Sequence, residues 1–196
     1  MSRNRMYRRR FNRRIRYNKR GQKVYVFKRF CALPAISVSN TLGYGGGYDF
    51  SLIDLPNYAE FTSLYDQYKL NAVKITFLPQ MTENVSLGSV NNAQACSRFM
   101  SAIDYNDSSA PASQDDIRQY QSCKMTPVLK QHRRYIYKPK ILDSSSTSRS
   151  PWMSTSSPST NYYGIKFYVE PFYSTTTTTM IYNVEAIYYL SFKQVK

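Results

Sequence analysis

The sequence has few of the residues that catalytic and metal sites require. Among its 196 residues are one histidine, His132, and three cysteines with no metal-ligand spacing, Cys31, Cys96 and Cys123. The acidic residues nearest to His132 in sequence are eleven and sixteen positions away, so none stands beside it as an orienting carboxylate. We therefore predict no catalytic residues, metal or cofactor. We expect reduced, partly buried cysteines and a histidine in a polar loop or at a strand end.

Long apolar runs are also absent. No stretch approaches the roughly 20 apolar residues that span a bilayer, which predicts no membrane association. The N-terminus lacks the apolar segment of a secretory signal. A transit peptide would also be rich in arginine and poor in acid, but the run at residues 8–10 interrupts any clean amphipathic stripe.

Acidic residues are missing from the first 48 positions, where thirteen residues are Lys or Arg, and Asp49 is the first carboxylate. The remaining 148 residues carry fourteen basic and twelve acidic side chains, so the net charge of +15 lies almost entirely in the N-terminal part. Residues 1–23 form the core of this region and we call them the arm. The eleven basic residues of the arm are Arg3, Arg5, Arg8, Arg9, Arg10, Arg13, Arg14, Arg16, Lys19, Arg20 and Lys23.

The arm predicts a nucleic-acid-binding segment. It cannot bury itself, because its like charges repel and it has few apolar groups to offset the entropy of ordering. Tyr7, Phe11 and Tyr17 are interleaved with the charges and are candidates for base stacking. Arginine runs without a folded frame cannot aim at base edges, so we expect binding to phosphates that is salt-dependent and weakly sequence-specific.

Residues 24–196 have the composition of a β domain, with nineteen Tyr in the whole chain and abundant Thr, Val, Phe and Ile. Alternating apolar residues at 70–79, 162–172 and 180–193 predict strands, and about eight strands can be assigned in all. No ten-residue helix lies between them, which excludes a parallel sheet. We predict an all-β fold: an antiparallel eight-stranded jelly-roll sandwich with one short helix and a basic N-terminal arm.

Local signals predict how several connecting segments fold. Pro34 is expected to end a first strand at 23–30, and the glycine run at 43–47 to be a flexible surface loop rather than a phosphate loop. Residues 143–160 contain twelve Ser or Thr and are expected to form a long exposed loop. A capping box of Asn57 and Glu60 predicts a helix start. The apolar face of that helix would be Phe61, Leu64, Tyr65 and Tyr68.

Residues 50–77 resemble the strand, helix and strand of capsid proteins from circoviruses and related viruses with small circular single-stranded DNA genomes. The most specific part is the pattern Phe-x-x-Leu-Tyr-Asp-x-Tyr-Lys at residues 61–69, followed by a strand that contains Val and Lys. Residues 101–107 resemble the strand of that family that ends in an acidic turn. Residues 133–139 and the arm match it in kind and order, although the chain is short for such a capsid protein.

The resemblance implies a jelly-roll subunit, about sixty copies of which form a T=1 icosahedral shell around single-stranded DNA. It also implies that the arm is a nuclear localisation signal read by host import factors, so the protein would occur in the virion and in the host cell nucleus. RNA remains an alternative ligand of the arm, and the Ser/Thr-rich loop is a candidate contact for a host attachment factor. The domain division would be an arm at 1–23 and a shell domain at 24–196.

Two other classes of function remain open at this stage. A cellular nucleic-acid-binding protein with a basic extension, of the ribosomal type, would need a basic face on its folded part. Only five basic residues cluster there in sequence: Lys130, Arg133, Arg134, Lys138 and Lys140. A β-sandwich enzyme would need a pocket that brings His132 together with a carboxylate or a cysteine.

Overall fold

The computed structural model describes residues 23–80, 97–141, 149–171 and 179–195. In these segments the chain forms ten strands, two short α-helices and a 3-10 helix at Leu52–Asp54. The helices are α1 (Tyr58–Leu64) and α2 (Gln114–Arg118). The strands are β1 (Tyr25–Ser39), β2 (Tyr44–Phe50), β3 (Tyr65–Pro79), β4 (Arg98–Ala102), β5 (Lys124–Pro127), β6 (His132–Tyr137), β7 (Lys140–Ile141), β8 (Met153–Ser154), β9 (Tyr162–Val169) and β10 (Thr179–Val195).

The strands form two antiparallel sheets in the arrangement of a jelly roll. The first sheet has the order β1-β10-β3-β6, with β8 paired to β3, and the second has the order β2-β9-β4-β5, with β7 paired to β9. Apart from β4 and β5, neighbours within the two main rows are not consecutive strands of the chain, as the two interleaved Greek keys of a jelly roll require. The predicted all-β class is therefore confirmed. Eight strands form the two main rows, and β7 and β8 are additional strands of two residues each.

Side chains from the inner faces of both sheets fill the space between them. The central strand β10 alternates along its length, and seven of its inward residues are buried: Met180, Tyr182, Val184, Ala186, Tyr188, Leu190 and Phe192. Val73, Ile75 and Phe77 of β3 are fully buried beside it, as their alternation with Lys74 and Thr76 predicts. Both strands are flanked on each side within the first sheet, which explains why their sequence pattern is so regular.

A buried lysine fixes a long connection onto the outside of the second sheet. Lys166 of β9 pairs with Asp107, and its ammonium nitrogen lies 3.2 Å from a carboxylate oxygen of Asp104. Tyr120 donates a hydrogen bond of 2.7 Å to Asp104 from the far end of the same connection. Because the ammonium group has two carboxylate partners, its burial is compensated, and hydrogen bonding from Lys166 lowers the pKa of Asp107.

Three glycines of the run, Gly45, Gly46 and Gly47, do not form the predicted loop but lie inside β2, which pairs with β9. A Cβ atom on Gly46 would stand 2.6 Å from the ring of Phe167, and one on Gly47 would stand 2.3 Å from the carbonyl oxygen of Ser108. The glycines therefore let a strand pass between a core aromatic ring and the connection that covers the sheet. The prediction of a loop was wrong because the contacts that require glycine come from residues far away in sequence.

Two further local predictions were wrong. Pro34 does not end the first strand, because β1 is an edge strand whose pairing with β10 shifts register between Leu33 and Ile36. The helix ends at Leu64, and Tyr65 and Tyr68 are already in β3, although both are buried as expected. Asn57 occupies the N-cap position of α1 but makes no side-chain capping hydrogen bond.

Candidate nucleic-acid interface

Most of the predicted nucleic-acid-binding residues lie outside the described residues. They comprise ten of the eleven basic residues of the arm and the three aromatic candidates for base stacking: Arg3, Arg5, Arg8, Arg9, Arg10, Arg13, Arg14, Arg16, Lys19, Arg20, Tyr7, Phe11 and Tyr17. Lys23 is described and exposed, and it precedes the first residue of β1 by two positions. The structure therefore locates the point where the arm joins the first sheet.

Cations stacked on aromatic rings surround this junction. The ammonium nitrogen of Lys23 lies 5.0 Å from the centre of the Tyr25 ring. The guanidinium group of Arg29 lies 5.4 Å from the Phe27 ring and 5.2 Å from the Phe61 ring. Such contacts stabilise the cation but leave its charge exposed, so the junction extends the positive charge of the arm onto the folded domain.

A third cation belongs to the same end of the first sheet. Lys193 lies 4.6 Å above the ring of Trp152, and its neighbour Phe192 pairs with Tyr25 across β1 and β10. Sequence reasoning did not single out Arg29, Lys193 and Trp152 as site residues, because none of them lies within the arm. The strand pairing brings them to the end where the arm begins.

The five basic residues considered for a basic face of the folded part are divided between different surfaces. Arg133 lies on β6 of the first sheet and Lys140 on β7 of the second. The guanidinium group of Arg134 is turned to the edge of the sandwich, where it donates a hydrogen bond of 2.7 Å to the carbonyl oxygen of Ser122. Lys138 stacks on the ring of Tyr137 at 5.1 Å. Because Arg133 and Lys140 belong to different sheets, the five residues do not all lie on one sheet face.

His132 is the first residue of β6, which agrees with the predicted strand end, but it is fully buried. Its Nε2 atom hydrogen-bonds with Ser101 at 2.6 Å and its Nδ1 atom with Thr126 at 2.8 Å, and its ring stacks on Phe99. Both ring nitrogens therefore have hydroxyl partners, and among the residues that the structure describes neither nitrogen contacts a carboxylate or a thiol. This arrangement joins the two sheets and does not resemble a catalytic histidine.

This burial predicts a pH dependence of stability. Burial, with smaller effects of Lys124 and Arg134, lowers the pKa of His132 to about 3, whereas an exposed histidine titrates near 6.5. Below pH 6.5 the imidazole of His132 takes up a proton in the unfolded chain, whereas in the folded chain it stays neutral until the pH approaches 3. The free energy of unfolding should therefore fall by about 1.4 kcal/mol per pH unit as the pH decreases from 6.5 towards 3.

Urea unfolding at pH 6.5, 6.0, 5.5 and 5.0 measures this slope while carboxylates remain ionised. The control is His132→Gln, which can hydrogen-bond but does not titrate. It should be less stable than the native chain at pH 7 and should show a flatter slope below pH 6.5. Parallel slopes for the two proteins would contradict the assignment of the pH dependence to His132.

Two cysteines are described, and neither forms a disulfide. Cys31 is buried and donates a hydrogen bond of 2.9 Å to the carbonyl oxygen of Asp54, and burial with the nearby Asp54 charge raises its pKa to about 11. Cys123 is half-buried, and Cys96 lies outside the described residues. Within the described segments, no three potential metal ligands lie together. No helix in these segments has the length and apolar character to cross a membrane.

Solved structures with the same arrangement of strands are viral capsid proteins. A crystal structure of the decameric BFDV capsid protein is similar over 87% of this chain and 99% of its own, with a TM-score of 0.58 and 16% identity. The 60-mer of the BFDV capsid protein has a TM-score of 0.56 and 15% identity over 88% of this chain and 95% of its own. The Mud crab tombus-like virus structure has a TM-score of 0.56 and 12% identity over 89% of this chain and 90% of its own.

At these identities the similarity establishes the fold, and no curated protein matches the chain. The family model for circovirus capsid proteins matches residues 1–196. The chain belongs to the circovirus capsid protein family. It is therefore a structural protein of the virion, and the charge-rich arm and the jelly roll are parts of a capsid protein. The resemblance carried by residues 50–77 is confirmed.

Proposed function

We propose that this capsid protein forms a T=1 icosahedral shell of about sixty subunits and packages single-stranded DNA with its arm. The observation that carries the proposal is the separation of charge within one chain. The first 48 residues have thirteen basic and no acidic side chains, whereas the rest is nearly neutral. A neutral sandwich can pack against copies of itself without strong repulsion, while the arm requires a polyanion.

The number of charges suits this role. About sixty arms with eleven basic residues each would supply roughly 660 positive charges, which neutralises a substantial part of a genome on the order of a thousand or more nucleotides. An arm of 23 residues reaches at most about 75 Å when extended, which is enough to enter the interior of a small shell. Because the arm would bind phosphates rather than base edges, its affinity would depend little on the base sequence of the packaged DNA.

We extend the proposal to the cell biology of the arm. Clusters of Lys and Arg in short segments are also the pattern of nuclear localisation signals, so the arm would bring the free subunit to the host cell nucleus through import factors. A contact of the Ser/Thr-rich segment around residues 143–160 with a host attachment factor belongs to the same proposal. Single-stranded RNA is the alternative cargo, because binding to phosphates does not distinguish the two strongly.

The direct test is assembly of the full chain in the presence of circular single-stranded DNA. Size-exclusion chromatography should give a particle peak, negative-stain microscopy should show closed shells, and part of the DNA should resist nuclease. Parallel samples with single-stranded RNA of equal length compare the two cargoes. A protein that stays monomeric under all these conditions, or shells that leave all added nucleic acid sensitive to nuclease, would contradict the proposal.

A further inference from the structure

The face of the first sheet that points away from the core carries cations and aromatic rings in neighbouring rows. We call this surface the outer face. Strand pairing places Lys28, Tyr189 and Tyr137 in one row, with Ala72 between the two tyrosines. The next row consists of Phe30, Ile187, Lys74 and Tyr135, and the third consists of Ala32, Glu185, Thr76 and Arg133.

Three of the four aromatic rings of the outer face are more than half exposed, and the fourth, Tyr189, is partly buried. Tyr135, Tyr137 and Phe30 are 53%, 57% and 54% exposed. The rings of Tyr135 and Tyr189 meet edge to face at 6.0 Å, so they form a shared aromatic surface. Tyr135 and Tyr137 are two residues apart on one strand, a separation of about 6.6–7 Å that allows two successive bases to stack on them.

The excess of positive charge on the outer face favours an anionic partner. Lys28, Lys74 and Arg133 lie on it, and Glu185 is the one acidic residue in the three rows. At its edge, burial and the neighbouring charge of Lys138 lower the pKa of Lys69. None of these five basic side chains forms an ion pair with a carboxylate in the part of the chain that the structure describes.

These features favour nucleic acid over a second copy of the chain as the occupant. A second copy would bring either its nearly neutral sandwich, which offers no excess of acid, or its arm, which the cations would repel. Single strands supply both phosphates and free base faces, and grooves that combine cations with aromatic rings are typical of proteins that bind them. The arm also joins this same sheet, at the start of β1.

We propose that the outer face of the first sheet is a stacking surface for single-stranded nucleic acid. Bases lie on the rings of Tyr135, Tyr137 and Tyr189, while Lys28, Lys74 and Lys138 neutralise the phosphates. This inference deepens the proposed packaging function and rests on it. The arm binds the phosphates of the nucleic-acid strand by charge, and the outer face binds a short part of the same strand by stacking on its bases.

Photocrosslinking of the full native chain locates the contact. A thirty-nucleotide oligodeoxythymidine containing 5-iododeoxyuridine is bound, irradiated and digested, and the crosslinked peptides are identified by mass spectrometry. We expect crosslinks in the peptides that contain Tyr135 and Tyr137 or Tyr189. Crosslinks confined to residues 1–23 would overturn the outer-face proposal while supporting the arm. Crosslinks on the outer face without any in the arm would support the outer face and count against the proposed role of the arm.

A variant pair tests the role of the bases. Tyr135→Ser with Tyr137→Ser in the full chain should weaken binding of the thirty-nucleotide oligodeoxythymidine about tenfold or more, at a salt concentration that suppresses the contribution of the arm. Binding of an abasic strand of equal length should change little. The control is Tyr44→Ser, which removes a tyrosine that is 43% exposed on the second sheet. The proposal would be overturned if the double variant and this control bound the oligodeoxythymidine with equal affinity. It would also be overturned if the double variant lost as much affinity for the abasic strand as for the oligodeoxythymidine.

Discussion

Replacing Phe77 with alanine is expected to lower the free energy of unfolding by about 3–5 kcal/mol. Phe77 is fully buried on β3 of the first sheet and contacts rings from the second sheet. Its ring centre lies 4.7 Å from that of Phe99, 5.3 Å from that of Phe167 and 6.1 Å from that of Tyr48. Removal of the ring would therefore leave a cavity at the point where both sheets meet.

The expected cost is large compared with the 5–15 kcal/mol that stabilises a typical domain. For a chain of this length it corresponds to a decrease of roughly 6–20 °C in the melting temperature. Chemical denaturation followed by circular dichroism gives the free energy directly. Phe77→Leu is the matched variant that keeps most of the volume and should lose no more than about half as much.

Met125→Ala serves as the control on an exposed strand position, because Met125 is 40% exposed on β5. Its unfolding free energy should stay within about 0.5 kcal/mol of the native value. A loss below about 1 kcal/mol for Phe77→Ala would show that the interior relaxes around the missing ring, and would contradict a tightly packed junction between the sheets.

The parts of the fold that the sequence predicts are those where one strand face is buried along its whole length. The inward residues of β10 alternate without interruption because β10 has a partner strand on each side and the other sheet above it. The same holds for Val73, Ile75 and Phe77 in β3. For such strands the pattern of two residues per repeat is imposed by burial, so it is visible in the sequence alone.

Prediction failed where distant residues decide the local structure. The glycines of β2 are explained by the ring of Phe167 and by the backbone of Ser108, neither of which is near them in sequence. Tyr65 and Tyr68 are three residues apart, which fits the period of a helix, yet both lie in β3 and are buried, although this separation does not match the two-residue period of a strand. His132 lies at a strand end, as one of the two predicted placements had it, but its full burial was not foreseen, because the hydroxyl partners that make it possible come from Ser101 and Thr126.

The candidate interface was predictable only as a linear feature. Eleven basic residues in 23 positions identify the arm without any knowledge of the fold. The outer face could not be found in this way, since Lys28, Tyr137 and Tyr189 are more than fifty residues apart and meet only through strand pairing. A surface assembled from four strands has no contiguous motif in the sequence. A contiguous segment such as the arm, in contrast, is recognisable from its composition alone.

Deletion of residues 2–22 is expected to abolish packaging of DNA while the folded domain remains stable. The deletion removes ten basic residues and retains Lys23, which stacks on Tyr25. Each phosphate contact with a single strand contributes about 0.7 to the slope of log affinity against log salt concentration. The loss of up to ten contacts should therefore reduce this slope by up to about 7 and leave little nuclease-resistant DNA.

Fluorescence anisotropy at several salt concentrations measures the slope, and thermal unfolding checks the domain. The matched control changes all nine arginines of the arm to lysine, which keeps the charge but removes the guanidinium groups. If charge dominates, this control should package nearly as much DNA as the native chain. Loss of packaging in the lysine variant would instead show that the arm recognises phosphates through paired guanidinium hydrogen bonds. A loss of cooperative unfolding after the deletion would show that the arm is part of the folded domain, which would contradict the division of roles that its charge implies.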